Sequence, residues 1–338
     1  MRSTIKEVAK KAGVSIATVS RVLNESNLVQ DETMKLVKQV ARDLRYSPNI
    51  AARSLSRRRT ETIGILLPDL YGEFFSEVIR GMDTTARQHK YHLIISSSHN
   101  SKAEIEAALR IMSGRVDGLI IMSPHIDASA LHSNLPGALP VVLLNCHVDG
   151  SNFDAINIDN YKGAHGVVTH LASHGHKRIA IIKGTEENID AQERLRGYRD
   201  AIKASSAEYS TSYEFPGDFT EASAYKAAIR ILNTNPQPTA IFASNDAMAI
   251  GALSALRVHN TSVPGDIALA GFDDIPIATY ITPSLTTVRV RISDLGVLAV
   301  KRLLEAIHNK KEHARRRIVL GTEVVARESC GCTVMHND

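Results

Sequence analysis

The chain has 338 residues, of which 43% are hydrophobic and 22% charged, so it is long enough for two or three domains with sizeable cores. It lacks an apolar run long enough to span a bilayer and begins without the apolar segment of a signal peptide, which predicts a cytoplasmic protein without a membrane partner. Its three cysteines are too few for a disulfide framework.

The charge is unevenly distributed along the chain. Residues 1–60 carry 13 Lys and Arg against 5 Asp and Glu, a net charge of +8. Residues 61–338 carry 27 against 31, a net charge of −4. A basic head (residues 1–60) on a mildly acidic body (residues 61–338) indicates a polyanionic partner for the head only.

The stretch IKEVAKKAGVSIATVSRVLN predicts two short helices joined by a tight turn. Gly13 stands where the first helix must end in a left-handed turn, and Ser15 is a suitable N-cap for the second. The inward positions recur at helical spacing and are Val8, Ala9, Ala12, Val19, Val22 and Leu23. The other surfaces of the second helix carry Ile16, Ala17, Thr18, Ser20, Arg21 and Asn24. This is a helix-turn-helix pattern.

A third amphipathic helix is predicted over Asp31–Arg45, and the sequence YSPNIAARSL follows it. The inward positions of this helix are Met34, Val37, Val40, Ala41 and Leu44. The stretches TIKEVAKKAGVSIATVSRVLN and YSPNIAARSL occur together at the expected separation, and in both the chain resembles the lactose repressor (LacI/GalR) family of transcription regulators. The resemblance continues through the rest of the chain.

The helix-turn-helix predicts a partner, double-stranded operator DNA. We expect the second helix to enter the major groove, with Ile16, Ala17 and Arg21 facing base edges. The remaining expected DNA-binding positions of this helix, several of them phosphate contacts, are Ser15, Thr18, Ser20 and Asn24. Arg21 is the candidate for paired hydrogen bonds to a guanine, and its alternative role is a phosphate contact. Because one head reads only a few base pairs, we predict a homodimer on a pseudo-palindrome.

Residues 47–60 join the head to the body. Ser47 and Pro48 suit a helix start, but so short a helix is marginal on its own, and a plain linker is the alternative. The resemblance implies a hinge helix that orders when two copies meet on DNA. In that arrangement Ala52 and Leu55 contact the minor groove, and Leu55 wedges into the central base step.

From Glu61 onward, apolar strands alternate with amphipathic helices, from a strand at Thr62–Leu67 to strands within Arg317–Arg327. This alternation predicts parallel sheets covered on both faces, and its length favours two lobes with a cleft between them. The predicted fold class is an N-terminal all-α helix-turn-helix head with a hinge helix and a two-lobed α/β body. The resemblance implies a body of the periplasmic-binding-protein type.

The expected boundaries follow from these patterns. The head domain covers residues 1–46, the hinge 47–60, and the effector-binding and dimerisation domain 61–338. The first lobe covers about 61–160 and 291–320, and the second about 161–288 and 321–330. The resemblance implies three crossings between the lobes, near Asn160, near Val288–Arg291 and near Leu320–Thr322.

Polar side chains beyond strand ends are the candidates for a ligand site, because open α/β sheets bind ligands there. Arg194, Asn245 and Asp273 match effector-binding positions of the family in ERLRGY, SNDAMA and GFDD, and Asp246 lies beside them. Taken singly, each could instead be a helix cap or a surface charge. Weaker candidates for the cleft wall are Phe74, Phe75, Asn145, Cys146, Asn188, Asp190 and Phe219.

No catalytic constellation is apparent in the sequence, so we predict no enzyme activity and no cofactor. The motifs GxxxxGK[ST], HExxH and GxSxG are absent. Cys330, Cys332 and His336 lack a second ligand pair nearby in the sequence, and Gly175 separates His174 from His176. We therefore predict no metal site.

Three functions compete. A DNA-binding regulator, most often a repressor in this family, controlled by a sugar-like small-molecule effector accounts for both head and body. A solute-binding protein of the periplasmic-binding-protein type accounts for two lobes but not for the basic head. A cytosolic enzyme on a Rossmann-like body leaves residues 1–60 without a role. The sequence therefore favours the regulator.

Overall fold

The computed structural model describes residues 3–23, 29–46, 59–99, 101–123, 126, 131, 133–135, 139–146, 153–205, 207–309 and 312–332. The chain divides into two compact units, Met1–Thr60 and Glu61–Asp338. Within the described ranges, every helix is too short or too polar to cross a bilayer.

The head consists of three helices, α1 (Ile5–Ala12), α2 (Ile16–Leu23) and α3 (Asp31–Asp43). Thr4 and Glu7 form a capping box at the start of α1, and Gly13 ends it with φ 67°. The small core confirms the predicted inward positions and contains Val8, Ala9, Ala12, Val19, Val22, Val37, Val40 and Ala41, with Leu23, Met34 and Leu44 packed against it.

The body continues in chain order with β1 (Thr62–Leu67), α4 (Glu73–Gln88), β2 (His92–Ser97), α5 (Lys102–Met112), β3 (Gly118–Met122), β4 (Val141–Leu144), β5 (Asp154–Ile158), α6 (Asn160–Ser173), β6 (Ile179–Ile182), α7 (Ile189–Ala204), β7 (Glu214–Phe215), α8 (Glu221–Leu232), β8 (Ala240–Ala243), α9 (Asp246–Val258), β9 (Ala268–Ala270), β10 (Thr287–Arg289), α10 (Ile292–His308), β11 (Arg317–Leu320) and β12 (Glu323–Val325). The apolar pattern of the sequence also predicts a helix at Ala128–Leu135, and most of this stretch lies outside the described residues.

Two parallel sheets define two lobes of the body. The first lobe has six strands in the order β11-β5-β4-β3-β1-β2, and the second has four in the order β7-β6-β8-β9. Strands β1, β3, β4, β6 and β8 are buried nearly throughout, as parallel strands covered by helices must be.

The chain passes between the two sheets three times. It leaves the first sheet after β5, returns after β10 to form α10 and β11, and leaves again after β11. Strands β10 and β12 pair antiparallel in a separate two-stranded sheet at these passages. In the first lobe α10 packs closely on α4. The two helices approach so closely at Gly81 that an added Cβ atom would lie 2.1 Å from the carbonyl oxygen of Ser293.

Candidate effector site and DNA-binding head

The two lobes enclose a cleft of about 600 Å³, which is the size of a small-molecule site. Its walls come from residues that directly follow strands of both sheets. Pro68, Met122 and Asn145 lie at the ends of first-lobe strands, and Thr185, Asn245 and Asp273 lie beyond second-lobe strands. The carboxyl ends of both sheets therefore face the same space.

Arg194 lines the cleft although only 5% of its surface is exposed, and several contacts fix its side chain. Its Nε donates to Oδ1 of Asn160 at 2.8 Å, and its Nη1 donates to the carbonyl oxygen of Ser244. The guanidinium carbon lies 3.8 Å from the centroid of the Phe272 ring. The hydrogen bonds to Asn160, Ser244 and Asp273 use three of the five guanidinium N–H groups. The other two have no partner among the described residues and are available to a ligand.

Asp273 faces Arg194 from the loop after β9. Its Oδ1 lies 3.5 Å from Nη2 of Arg194, and its backbone adopts φ 114°. Burial raises the pKa of this carboxyl group to about 7, Arg194 opposes the increase, and Asp190 adds to it. Among the described residues its Oδ2 atom accepts no hydrogen bond, so the side chain keeps an acceptor for a ligand.

Asn188 and Asn245 line the cleft and also cap helices. Their position in the wall therefore agrees with the predicted binding role, and their hydrogen bonds agree with the alternative role as helix caps. The Oδ1 of Asn188 accepts from the N–H of Ala191 at 3.0 Å. The Oδ1 of Asn245 accepts from the N–H of Met248 at 2.9 Å, and its Nδ2 donates to the carbonyl oxygen of Phe219.

Aromatic side chains cover the cleft from both lobes. Phe74 and Phe75 of the first lobe contact each other edge to face, with ring centroids 5.5 Å apart. Phe219 enters from the second lobe with φ 69°, and its ring occupies the space where a Cβ atom on Gly184 would lie. Such rings suit the apolar faces of a sugar.

Two candidates do not line the cleft. Cys146 is buried with its thiol against the backbone oxygens of Leu144 and Ser123, so the prediction that it forms part of the wall is wrong. Asp246 is also buried, where Oδ1 accepts from Thr287 and Oδ2 from the N–H of Ile275. These two hydrogen bonds satisfy the buried carboxyl group of Asp246. They also link the start of α9 to strand β10 and to the loop after β9.

Sequence reasoning missed most of the acidic lining and the residue that holds Arg194. Among the described residues that line the cleft, seven have acidic side chains and one, Arg194, is basic; the acidic residues are Asp69, Glu73, Glu187, Asp190, Asp218, Glu221 and Asp273. Most lie on loops, where acidic residues look like ordinary surface charges. Asn160 gave no signal either, although its Nδ2 also donates to Asp190 at 2.9 Å.

The second helix of the head presents small and polar side chains and one basic group, Arg21. The Oγ of Ser15 accepts from the N–H of Thr18 at 3.0 Å, which confirms the predicted N-cap. Ile16, Ala17 and Arg21 are exposed, while Thr18 and Ser20 are half-buried. Ile16 leaves 45% of its surface exposed. Asn24, Ala52 and Leu55 lie outside the described residues.

Comparison with known proteins gives a family match for the head and another for much of the body. Residues 4–49 match the family of bacterial regulatory proteins of the lacI type, and residues 168–330 match a periplasmic binding protein-like domain. The chain is 36% identical over 330 residues to the transcriptional repressor PurR of Edwardsiella ictaluri, covering 97% of this chain and 96% of that protein.

Two solved structures extend the similarity to three dimensions. The lac repressor dimer bound to operator and the anti-inducer ONPF has a TM-score of 0.86 at 27% identity, with 98% of this chain and 99% of that chain covered. The complex of the transcriptional regulator CelR with cellobiose has a TM-score of 0.73 at 30% identity, covering 97% and 100%. The chain therefore belongs to the lacI family of bacterial regulatory proteins and is a DNA-binding transcription regulator.

Proposed function

We propose that the protein is a homodimeric repressor whose affinity for operator DNA is set by an uncharged, sugar-like effector bound in the cleft of the body. The observation that carries this proposal is the Arg194–Asp273 pair. Both side chains are buried, yet both keep hydrogen-bonding groups free toward the cleft within the described residues. The CelR–cellobiose complex supports a carbohydrate effector in a related body.

The charge of the cleft narrows the effector class. The described walls carry seven acidic side chains and one guanidinium group, so the cleft opposes the entry of an anion. Carboxylate oxygens accept hydrogen bonds from hydroxyl groups, and Phe74 and Phe219 offer apolar faces. A neutral polyol satisfies both features, whereas a sugar phosphate brings two more negative charges. We therefore assign the ligand as a non-phosphorylated sugar.

Effector binding acts through the relative arrangement of the two lobes. Glu73 of the first lobe already accepts a hydrogen bond from the N–H of Ile277 in the second lobe at 3.0 Å. A ligand that contacts Phe74 on one side and Arg194 on the other favours one lobe arrangement over the other. A differential affinity equivalent to about 1–3 kcal/mol is ordinary for such coupling.

The head supplies the DNA contacts in this proposal. Helix α2 enters the major groove with Ile16, Ala17 and Arg21 toward base edges, and the hinge segments of two subunits meet in the minor groove at the operator centre. Ser15, Thr18 and Ser20 then lie near phosphates. The effector controls whether the two hinge segments can come together, so that the body regulates the head at a distance.

A paired experiment tests the proposal. Thermal unfolding is followed with neutral sugars and with their phosphates, because a ligand that binds only the native state raises the melting temperature. A sugar that does so must then change the mobility shift of an operator fragment at fixed salt. Stabilisation only by sugar phosphates would contradict the assigned effector class. Sugar binding without any effect on operator binding would contradict control of the head by that sugar, and a monomer in sedimentation would contradict the dimer.

A further inference from the structure

Four potential metal ligands from distant parts of the chain meet in the second lobe. His170 lies near the end of α6 and His174 directly follows that helix, while Cys330 and Cys332 lie in the terminal segment. The Sγ of Cys332 is 3.3 Å from Nε2 of His170 and 3.2 Å from Nε2 of His174. The Sγ of Cys330 is 3.5 Å from Nε2 of His170. The sequence near the two cysteines offers no second ligand pair, but the fold supplies one from the end of α6.

The fold prepares both pairs of side chains for a common centre. His170 and His174 are four residues apart and share one face at the end of α6. Ser329 fixes the terminal segment, because its Oγ donates to the carbonyl oxygen of Leu269 at 2.6 Å and accepts from the N–H of Thr286 at 2.8 Å. Gly331 then turns the chain with φ 77°, and both thiols come to lie against the histidines.

The orientation of His174 provides a second observation. Its Nδ1 lies 2.8 Å from the carbonyl oxygen of His170, a geometry in which Nδ1 carries the proton and donates it. The Nε2 atom then presents its lone pair to the side of Cys332. Histidine ligands of metals are commonly fixed in this way by a hydrogen bond from their other nitrogen to a backbone carbonyl.

We propose that His170, His174, Cys330 and Cys332 bind one zinc ion. Tetrahedral zinc with bonds of about 2.3 Å to sulfur and 2.0–2.1 Å to nitrogen separates a sulfur from a nitrogen ligand by about 3.6 Å. Three of the four nitrogen–sulfur pairs are separated by 3.2, 3.3 and 3.5 Å, close to this value. The two sulfur atoms are 2.8 Å apart and must separate by about 1 Å to reach the tetrahedral edge. Thiolate and imidazole ligands select zinc over magnesium or calcium.

His176 is not part of this site. Its Nδ1 contacts Oγ1 of Thr239 at 3.2 Å instead. The ligand atoms of His170, Cys330 and Cys332 lie within 4.8 Å of one another, and the exposed His174 adjoins this group through Cys332, whose Sγ is 3.2 Å from its Nε2. The ion would tie the end of α6 to the terminal segment, which also carries Arg327, the partner of Asp274. Zinc would thus stabilise the second lobe without entering the effector cleft.

The test uses the untagged full-length protein, reduced and stripped of metal, with zinc alone as the probe. We expect one zinc ion per chain and a higher melting temperature on its addition. Cobalt, as a spectroscopic substitute, should give the intense charge-transfer absorption of thiolate ligands. Cys332→Ser and His174→Ala should each lower zinc affinity by about 100-fold or more, since even second-shell changes cost 10–100-fold. Cys146→Ala removes a buried thiol elsewhere and should retain both the stoichiometry and the spectrum.

Because Cys332 and His174 are not buried, the two variants are expected to fold, and their circular dichroism and cooperative melting check this. Zinc affinity at the wild-type level in both variants would overturn the proposal. A reduced protein that binds no zinc would do so as well. A Cys330–Cys332 disulfide that forms in air and is not prevented by zinc would assign the two thiols to redox chemistry instead.

Discussion

Arg194 and Asp273 form a buried ion pair across 79 positions of the chain, with Nη2 of the arginine 3.5 Å from Oδ1 of the aspartate. Neither partner uses all its hydrogen-bonding capacity on the other. Asn160, at the start of α6, also fixes the arginine, because its Oδ1 accepts a hydrogen bond from Nε of Arg194 at 2.8 Å. The pair is therefore positioned before a ligand arrives, which lowers the entropic cost of binding.

Replacing Arg194 should separate effector binding from DNA binding. Arg194→Ala removes a charged hydrogen-bond donor, so we expect effector affinity to fall about 10- to 100-fold by calorimetry. Operator affinity should stay at its effector-free value. Arg196→Ala is the matched control, because the exposed Arg196 lies on the same helix but pairs with Glu193, and neither residue lines the cleft among the described residues.

A purely structural ion pair would give a different result. Removing one partner of a buried pair then destabilises the lobe by about 3–5 kcal/mol. A stable Arg194→Ala protein with unchanged effector affinity would rule out the proposed binding role of this residue.

The unfolding free energy should depend on pH through Asp273. Burial raises its pKa from the ordinary value of 3.8 to about 7. The native state holds this proton more tightly than the unfolded chain, so stability falls as the pH rises from about 4 to about 7, by at most about 1.4 kcal/mol per pH unit. Asp273→Asn cannot ionise and should flatten this dependence in urea unfolding.

The comparison reports Asp273 together with its neighbour Asp246. The pKa of Asp246 is raised by burial and further by the charge of Asp273, so the difference between the two proteins includes the coupling of these carboxyl groups. Asp69→Asn changes an exposed carboxylate at the rim of the cleft and should keep the wild-type slope. Equal slopes for wild type and Asp273→Asn would show that the residue does not titrate in this range.

Gly13→Ala should destabilise the head through backbone conformation alone. Gly13 has φ 67°, and a Cβ atom there would meet no atom within 4 Å, so the cost is the left-handed conformation, about 1–2 kcal/mol. Gly321→Ala adds the same methyl group in equally open space without a positive φ and should be nearly neutral. Thermal unfolding of both full-length variants measures the difference, and equal melting temperatures of the head transition would contradict the argument.

Arg21 should determine base preference. If it forms paired hydrogen bonds to a guanine, Arg21→Ala costs about 1–3 kcal/mol on the operator and relaxes preference at one position. Arg42→Ala removes the same charge from α3 and controls for electrostatics. Fluorescence anisotropy on operator and random DNA at matched salt separates the roles, since an equal loss on both indicates a phosphate contact.

Leu55 should control DNA bending. As a wedge in the central base step it would kink the duplex, so Leu55→Ala should reduce the bend while the protein remains a dimer. Circular-permutation mobility shifts measure the bend, and sedimentation measures the dimer. An unchanged bend would mean that Leu55 has another role, such as packing.

The sequence by itself determined the local structure and the class of protein. Periodicity located most strands and helices to within a few residues, because parallel strands are continuously apolar and surface helices have one apolar face. Gly13, Ser15 and the inward valines of the head follow from rules that act over a few residues. Arg194, Asn245 and Asp273 were candidates because they follow strands, whose ends mark ligand sites in such sheets, and because they match effector-binding positions in the family that the sequence resembles.

The tertiary structure alone decided which distant residues meet. Nothing local indicates that Asn160 orients Arg194, or that loop carboxylates from several segments converge on one cleft. The histidines and cysteines of the second lobe likewise lie about 160 positions apart, so each pair looks incomplete in the sequence. Such contacts depend on strand order and on where the chain crosses between lobes, and these are properties of the packed whole rather than of any segment.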